Sequence, residues 1–311
     1  MKIIDLSITT ATAVCENSVV ALGFFDGVHS GHRDLLLHTV EEARRRGARA
    51  LVLTFSERGS AGLKNSDKRI LSEHRRYEIF EELGIDCVVL MDFSQVKSMP
   101  HDEFVRSIII GRCNASAAVC GFNYRYGAGA KGNSETLCAQ MTASGGGCIV
   151  CPAFMYEGDT VSASRIKKCL LDGEIELANK MLDSVFSIEG TVQHGKALGR
   201  EMGVPTANIA YPDGAAAIMH GVYATRVRVD GALYGAVTNV GRRPTLDDGE
   251  FINCESHIIN YDGNLYGKEI KVEFCKLLRE EKRFSSVDEL KAQIEKDRKE
   301  AEKWLITSGQ S

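Results

Sequence analysis

Near residue 183 the hydrophobic pattern of this chain changes period, and that change sets what it can fold into. Before it, short apolar runs alternate with amphipathic stretches. Residues 19–23, 50–55, 85–91, 117–122 and 148–151 read as strands, and 32–46, 72–83 and 104–110 as helices, with Gly47 and Gly84 as stop signals. Strands alternating with helices at this spacing predict a parallel sheet covered on both faces. Ligands of such sheets sit at the carboxyl ends of the strands. After the change, 186–195, 221–241, 254–261 and 269–278 are strand-like, with Asp230-Gly231 at a hairpin tip. That pattern predicts an antiparallel barrel or sandwich. A last helix carries Val287, Leu290, Ile294, Ala301 and Trp304 near one face, and this stripe reads as core packing. The 311 residues therefore divide into two domains, 1–184 and 185–311.

Charge narrows the partners. The net charge is −4, so no strongly basic face is expected and nucleic acid is not an expected partner. A phosphate ligand has to be held by local features. No apolar stretch is long enough to span a bilayer, and the first residues lack the apolar run of a signal peptide. The 10 cysteines are scattered along the chain and read as reduced thiols of a cytoplasmic protein with no membrane partner. Cys148-x-x-Cys151 has a spacing that metal and redox sites use. Its setting, with no second such pair and with Ile149 and Val150 between, reads as a buried strand instead. Homo-oligomerisation is left open.

Three stretches carry chemistry. In "GFFDGVHSGH" a strand runs into a glycine-punctuated turn and then a helix. Gly27 and Gly31 let backbone N–H groups approach a ligand, the helix presents its positive end, and His29 and His32 can donate to phosphate oxygens. A metal site of Asp26, His29 and His32, or two structural histidines, are the other readings. In "GTVQHGKALGREMGVPTANI" a basic glycine loop with Gly195, Lys196, Gly199 and Arg200 can wrap a triphosphate. Thr206 and Asn208 there offer hard oxygen ligands suited to Mg2+. In "CESHIINY" Glu255 alternates with Ser256 and His257. A carboxylate on the inward face of a small barrel is costly unless paired or used, and Glu255 is a candidate general base, against the commoner fate of a solvated strand Glu. "GAGAKG" (Gly127, Gly129, Gly132) matches a dinucleotide fingerprint only by its letters, because no acidic residue follows about twenty positions on.

These stretches, with "GFNYRYG", "VSASRI", "NVGRRPT" and "REEKRFSS" in the same order, resemble the bacterial bifunctional riboflavin kinase/FAD synthetase family over nearly the whole chain. The resemblance implies an α/β nucleotidyltransferase domain with a Rossmann-like parallel sheet, followed by a six-stranded antiparallel β-barrel with a C-terminal helix. It implies ATP, riboflavin, FMN and FAD as substrates and products, with Mg2+ accompanying ATP. Gly23, Phe25, Asp26, Gly27, Gly31, Ser162, Ser164, Arg165 and Lys167 would bind ATP in the first domain, with His29 and His32 stabilising the transferring phosphate. Asn123, Tyr124 and Tyr126 would lie on the flavin there. In the barrel, Glu255 would be the base, and Arg279 and Phe284 would help close the flavin site. Three stretches depart from the family pattern: "FSERG" after the second predicted strand, Asn123 where an acid is usual, and "SASRIK" with Lys167 in place of an Arg fork.

Overall fold

The computed structural model describes residues 1–6, 13–56, 68–194, 204–244 and 250–307. It divides into two compact units, Met1–Ala163 and Ser164–Ser311.

Six parallel strands form the sheet of the first unit: β1 Lys2–Asp5, β2 Ser18–Leu22, β3 Arg49–Phe55, β4 Cys87–Met91, β5 Ala115–Gly121 and, after the short ribbon of β6 Arg125–Tyr126 and β7 Gly132–Asn133, β8 Gly147–Cys151. Their order is β1-β4-β3-β2-β5-β8. β2 and β4 read Ser-Val-Val-Ala-Leu and Cys-Val-Val-Leu-Met, and every residue of both is buried. Continuous burial is what a parallel strand covered on both faces requires. β1 is an edge strand paired with β4, which the sequence reading did not anticipate. β2 has β3 on one side and β5 on the other, so the winding reverses beside it. The loops after β2 and β5 therefore flank the crevice where such sheets bind ligands.

Helix α1, Ser30–Arg46, packs Leu35, Leu36, Val40 and Ala43 inward and ends at Gly47, whose φ of 62° is left-handed. Helix α2 is Glu73–Glu82, and a π-helical segment, Phe104–Arg112, precedes β5. Helix α3, Ser134–Ala143, is capped reciprocally by Asn133 and Thr136. The expectation of reduced cysteines needs one correction. Cys138 of α3 and Cys148 of β8 are joined as a disulfide, because the helix returns directly into its neighbouring strand and brings their Cα atoms to 5.0 Å. Cys151, three residues on, falls on the opposite face of β8, since strand side chains alternate. A second hairpin, β9 Met155–Tyr156 with β10 Asp159–Thr160, follows β8.

The second unit begins with α4 Ala163–Leu171 and α5 Ile175–Leu182. Both pack with the barrel. The Met219 N–H donates to Leu170 O (2.9 Å), and Asn179 joins Phe274 O and the Phe186 N–H at 2.8 Å each. The compact boundary thus lies about twenty residues before the change of period, because a helix's apolar stripe does not say which core it joins. The barrel strands are β11 Ser187–Thr191, β12 Ala207–Ala210, β13 Gly221–Val229, β14 Ala232–Pro244, β15 Glu250–Ile258 and β16 Glu269–Glu280, in the order β11-β16-β13-β14-β15-β12. The Gln193 N–H reaches Asn208 O (2.8 Å), which carries the end of β11 onto β12 and nearly closes the barrel. Asp230 and Gly231 turn the β13–β14 hairpin with φ of 48° and 84°, the left-handed pair a two-residue turn needs. Tyr223, Val227, Val240 and Phe274 fill the interior, with a buried hydroxyl line from Thr225 to Thr238 (2.7 Å) to Ser256 (2.8 Å). Helix α6, Val287–Thr307, ends the described chain.

Candidate functional site

In the first unit the turn after β2 is held in a costly shape. Phe25 and Val28 adopt φ of 55° and 38°, left-handed values that side chains other than Gly resist, and Gly27 sits at 80°. Three side chains hold it there. Asp26 Oδ1 accepts the Ile70 N–H (2.8 Å), Thr54 Oγ1 donates to Phe24 O (3.1 Å), and the buried Arg76 donates to Phe24 O (3.0 Å) and Phe55 O (3.3 Å). Gly31 is needed for close approach: a Cβ there would stand 3.1 Å from Phe154 Cβ and 3.5 Å from the His29 ring. At Gly23 a Cβ would meet the Phe25 ring at 2.9 Å.

The turn delivers His29 and His32 as a stacked pair, with ring centroids 3.7 Å apart and Phe25 edge-on to His32. Burial lowers the His29 pKa to about 4. Burial first, then His29 and Arg76, hold His32 well below its ordinary value. Both rings are therefore neutral near pH 7. His29 Nδ1 accepts the His32 N–H (3.4 Å), so its proton resides on Nε2 and points to a donor role. His32 Nδ1 is buried and meets no hydrogen-bond partner among the described residues. A buried ring nitrogen with no protein partner, beside a strained turn, is available to a ligand. Asp26, His29 and His32 do not form a group of converging metal-ligand atoms among the described residues.

After β5, Asn123 is exposed. Tyr124 stacks on Tyr126 (centroids 5.5 Å apart), and burial pushes the Tyr124 phenol well up. Tyr126 is buried, its hydroxyl donating to Gln140 Oε1 (3.1 Å). Its side chain thus belongs to the core. Ser162 immediately precedes α4, and Ser164, Arg165 and Lys167 lie in that helix's first turns.

In the second unit Glu255 is flanked by Asn208 on β12 and Asn239 on β14. All three share one pleat face. Because Cys254 and Ser256 point into the core, this face is the outer one, which corrects the expectation of an inward carboxylate. Neither is Glu255 simply solvated. It lines a cavity of ≈ 450 Å³ between the barrel and α6, with Thr206, Arg279, Phe284, Leu290 and Ile294 among its walls. Val287, Leu290 and Ile294 thus face a cavity and Trp304 is half-buried, so of the predicted stripe only Ala301 is core, with Leu305 beside it.

A polar chain runs along this face. Asn253 Nδ2 bridges Glu255 Oε1 (3.0 Å) and Asn208 Oδ1 (3.1 Å), and Asn208 Nδ2 donates to Thr206 Oγ1 (3.2 Å). A second cavity of ≈ 330 Å³ is lined by Thr206, Asn208, Ser256 and residues 261–266. Thr206 belongs to both cavities. Arg279 is fixed by Asp297 of α6 through three contacts of 2.9–3.2 Å and lies 5.6 Å from the Phe284 ring centroid. Gly195, Lys196, Gly199 and Arg200 lie outside the described residues.

Asn253, Arg76 and Asp297 escaped the sequence reading. Asn253 stands two residues before Glu255 and so shares its face. Arg76 and Asp297 each put a charge into the apolar stripe of a helix, beside Ile79 and Ile294, and that was the available signal.

A strained turn carrying two stacked histidines on a parallel sheet, and a carboxylate beside two cavities on a small barrel, fit a two-unit phosphoryl- and nucleotidyl-transferring enzyme. Family models agree unit by unit: FAD synthetase matches residues 11–165 and riboflavin kinase matches 182–305. The Bacillus subtilis bifunctional riboflavin kinase/FMN adenylyltransferase is 33% identical over 290 residues, covering 91% of each chain. Its Escherichia coli K12 counterpart is 32% identical over 302 residues, covering 96% of each. The chain belongs to the bifunctional riboflavin kinase/FMN adenylyltransferase family. A solved Streptococcus pneumoniae structure, named as a macrolide-efflux protein, matches with a TM-score of 0.89 at 31% identity, over 98% of this chain and 100% of its own. That name differs from the family's, and the family rests on the two matched models and the curated relatives. No helix among the described residues is long and apolar enough to cross a membrane.

Proposed function

We propose that this chain converts riboflavin and ATP to FMN and ADP in its barrel unit, and FMN and ATP to FAD and pyrophosphate in its α/β unit, in the cytoplasm. The observation that carries the kinase assignment is Thr206 between two cavities, with Glu255 lining the larger. The apolar wall of Leu290, Ile294 and Phe284 suits a flavin ring, and the smaller cavity suits the nucleotide. The 5′-hydroxyl oxygen of riboflavin bonds to the γ-phosphorus, the bond to the bridging oxygen breaks, and Glu255 takes the hydroxyl proton. Asn253 orients Glu255 by donating to one carboxylate oxygen. Thr206 Oγ1 and Asn208 Oδ1 are hard oxygen donors that fit Mg2+, which would supply charge neutralisation to the ATP phosphates.

In the α/β unit an FMN phosphate oxygen attacks the α-phosphorus and pyrophosphate leaves. His29 Nε2–H donates to the phosphate oxygens as charge builds, and His32 joins it once a ligand partners its orphaned nitrogen. Neutral imidazoles in a dry turn gain most when an anion arrives, because the same burial that excludes protons strengthens the attraction.

The test is product analysis with the full chain, riboflavin, ATP and Mg2+. His29→Ala should stop FAD formation and leave FMN formation intact. Glu255→Gln should lower FMN formation about 10²–10⁴-fold while supplied FMN is still adenylylated. FAD formed by His29→Ala at the parent rate refutes the role of that motif, and FMN as the parent chain's sole product refutes the adenylyltransferase half.

A further inference from the structure

Just past the histidine turn, Asp34 and His38 of α1 meet Cys151 at the carboxyl end of β8. One ligand atom from each lies within 4.8 Å of the other two. Among the described residues this is the one group of three such side chains that converges in this way. Asp34 and His38 are one helical turn apart and so share a face of α1. His38 Nε2 stands 3.7 Å from Asp34 Oδ2, and its other nitrogen, Nδ1, stands 3.7 Å from Glu41 Oε2. With Nε2 as the ligating atom, Glu41 stands behind the other ring nitrogen, the usual support of a metal-bound histidine. An ordinary surface ion pair explains Asp34 with His38. It does not explain a buried thiol closing the third side.

We propose that Asp34, His38 and Cys151 form a zinc-class metal site that pins α1 to the end of β8. One carboxylate, one imidazole and one thiolate match the mixed ligand set that Zn2+ accepts, and three protein ligands leave a fourth position for water. Asp34 and His38 are open to solvent while Cys151 is buried, so the ion enters from the helix side. The site fixes the helix whose first turn carries His32.

Chelator-treated full chain is titrated with Co2+ as a spectroscopic stand-in and then with Zn2+. One equivalent of Co2+ should produce a thiolate-to-cobalt charge-transfer band that Zn2+ bleaches. Cys151→Ser should abolish the band, and Cys254→Ser, a buried barrel cysteine, should leave it. His38→Ala changes an exposed side chain and keeps the test valid if Cys151→Ser folds poorly; it should also abolish the band. Glu41→Gln should weaken binding about tenfold, as loss of a supporting partner does. Absence of the band in the parent chain, or its survival at full intensity in Cys151→Ser or His38→Ala, overturns the site.

Discussion

Replacing Asp297 with Ala should unfold the barrel unit well before the rest of the chain. The Asp297 side chain is 4% exposed and that of Arg279 is 22% exposed. Arg279 Nε and Nη2 reach the carboxylate at 2.9–3.2 Å, and Gln293 Nε2 adds a fourth contact at 2.7 Å. Asp297→Ala leaves a mostly covered guanidinium without its counter-charge. Breaking such a pair from one side costs about 3–5 kcal/mol, and the lower end applies because part of Arg279 is solvated. About 3 kcal/mol is roughly a hundredfold in the unfolding equilibrium. The single tryptophan, Trp304, lies on the same helix as Asp297, so denaturant unfolding followed by its fluorescence reports this unit selectively. The double variant Arg279→Met/Asp297→Leu should recover most of the loss, because no orphaned charge remains. It should still bind riboflavin poorly, since Arg279 and Asp297 line the cavity. A midpoint for Asp297→Ala equal to that of the parent, or a double variant no more stable than the single one, would refute the reasoning.

Two further outcomes follow from other buried polar groups. His29 and His32 are depressed in the folded state, so the unfolded chain binds more protons than the native one between the ordinary histidine value near 6.5 and the folded value, about 4 for His29. Stability of the α/β unit should therefore be full above about pH 6.5 and fall as pH drops through that window, each ring contributing a slope of up to about 1.4 kcal/mol per pH unit. His29→Asn should flatten the slope in a pH series of thermal unfolding, and an unchanged slope contradicts the assignment. In the barrel, Thr238→Val keeps shape but removes the middle hydroxyl of the Thr225–Thr238–Ser256 line. Thr225 retains its bond to Ala236 O (3.2 Å), whereas Ser256 Oγ loses the bond it made to Thr238. The cost should be about 1–3 kcal/mol by Trp304 fluorescence, and no loss would show that a water replaces the hydroxyl.

The α/β unit was legible because its information is local. Continuous apolar runs such as Val19 to Leu22 mark parallel strands, Gly47 marks a helix end, and "DGVHSGH" carries its own turn, cap and donors within a few residues. The barrel was legible in its strands and its Asp230-Gly231 hairpin for the same reason. What the order of residues determined alone was two architectures, the change between them, and the identities of His29, His32, Thr206, Asn208 and Glu255 as the residues to watch.

Tertiary structure decided where those residues look. Strand alternation says that Glu255 and Ser256 oppose each other, but only closure of the barrel says which of them faces in. A helical stripe on α6 says that Leu290, Ile294 and Ala301 share a face, but only the distance to the barrel separates cavity wall from core. α4 and α5 join the barrel through contacts with Met219 and Phe274, neither of which their own sequence contains. Arg76 under the histidine turn, Asp297 behind Arg279, and Cys151 beside Asp34 and His38 are pairings across 52, 18 and more than 100 residues. Period and propensity act over one or two turns of chain, so partners at that separation are set by packing alone.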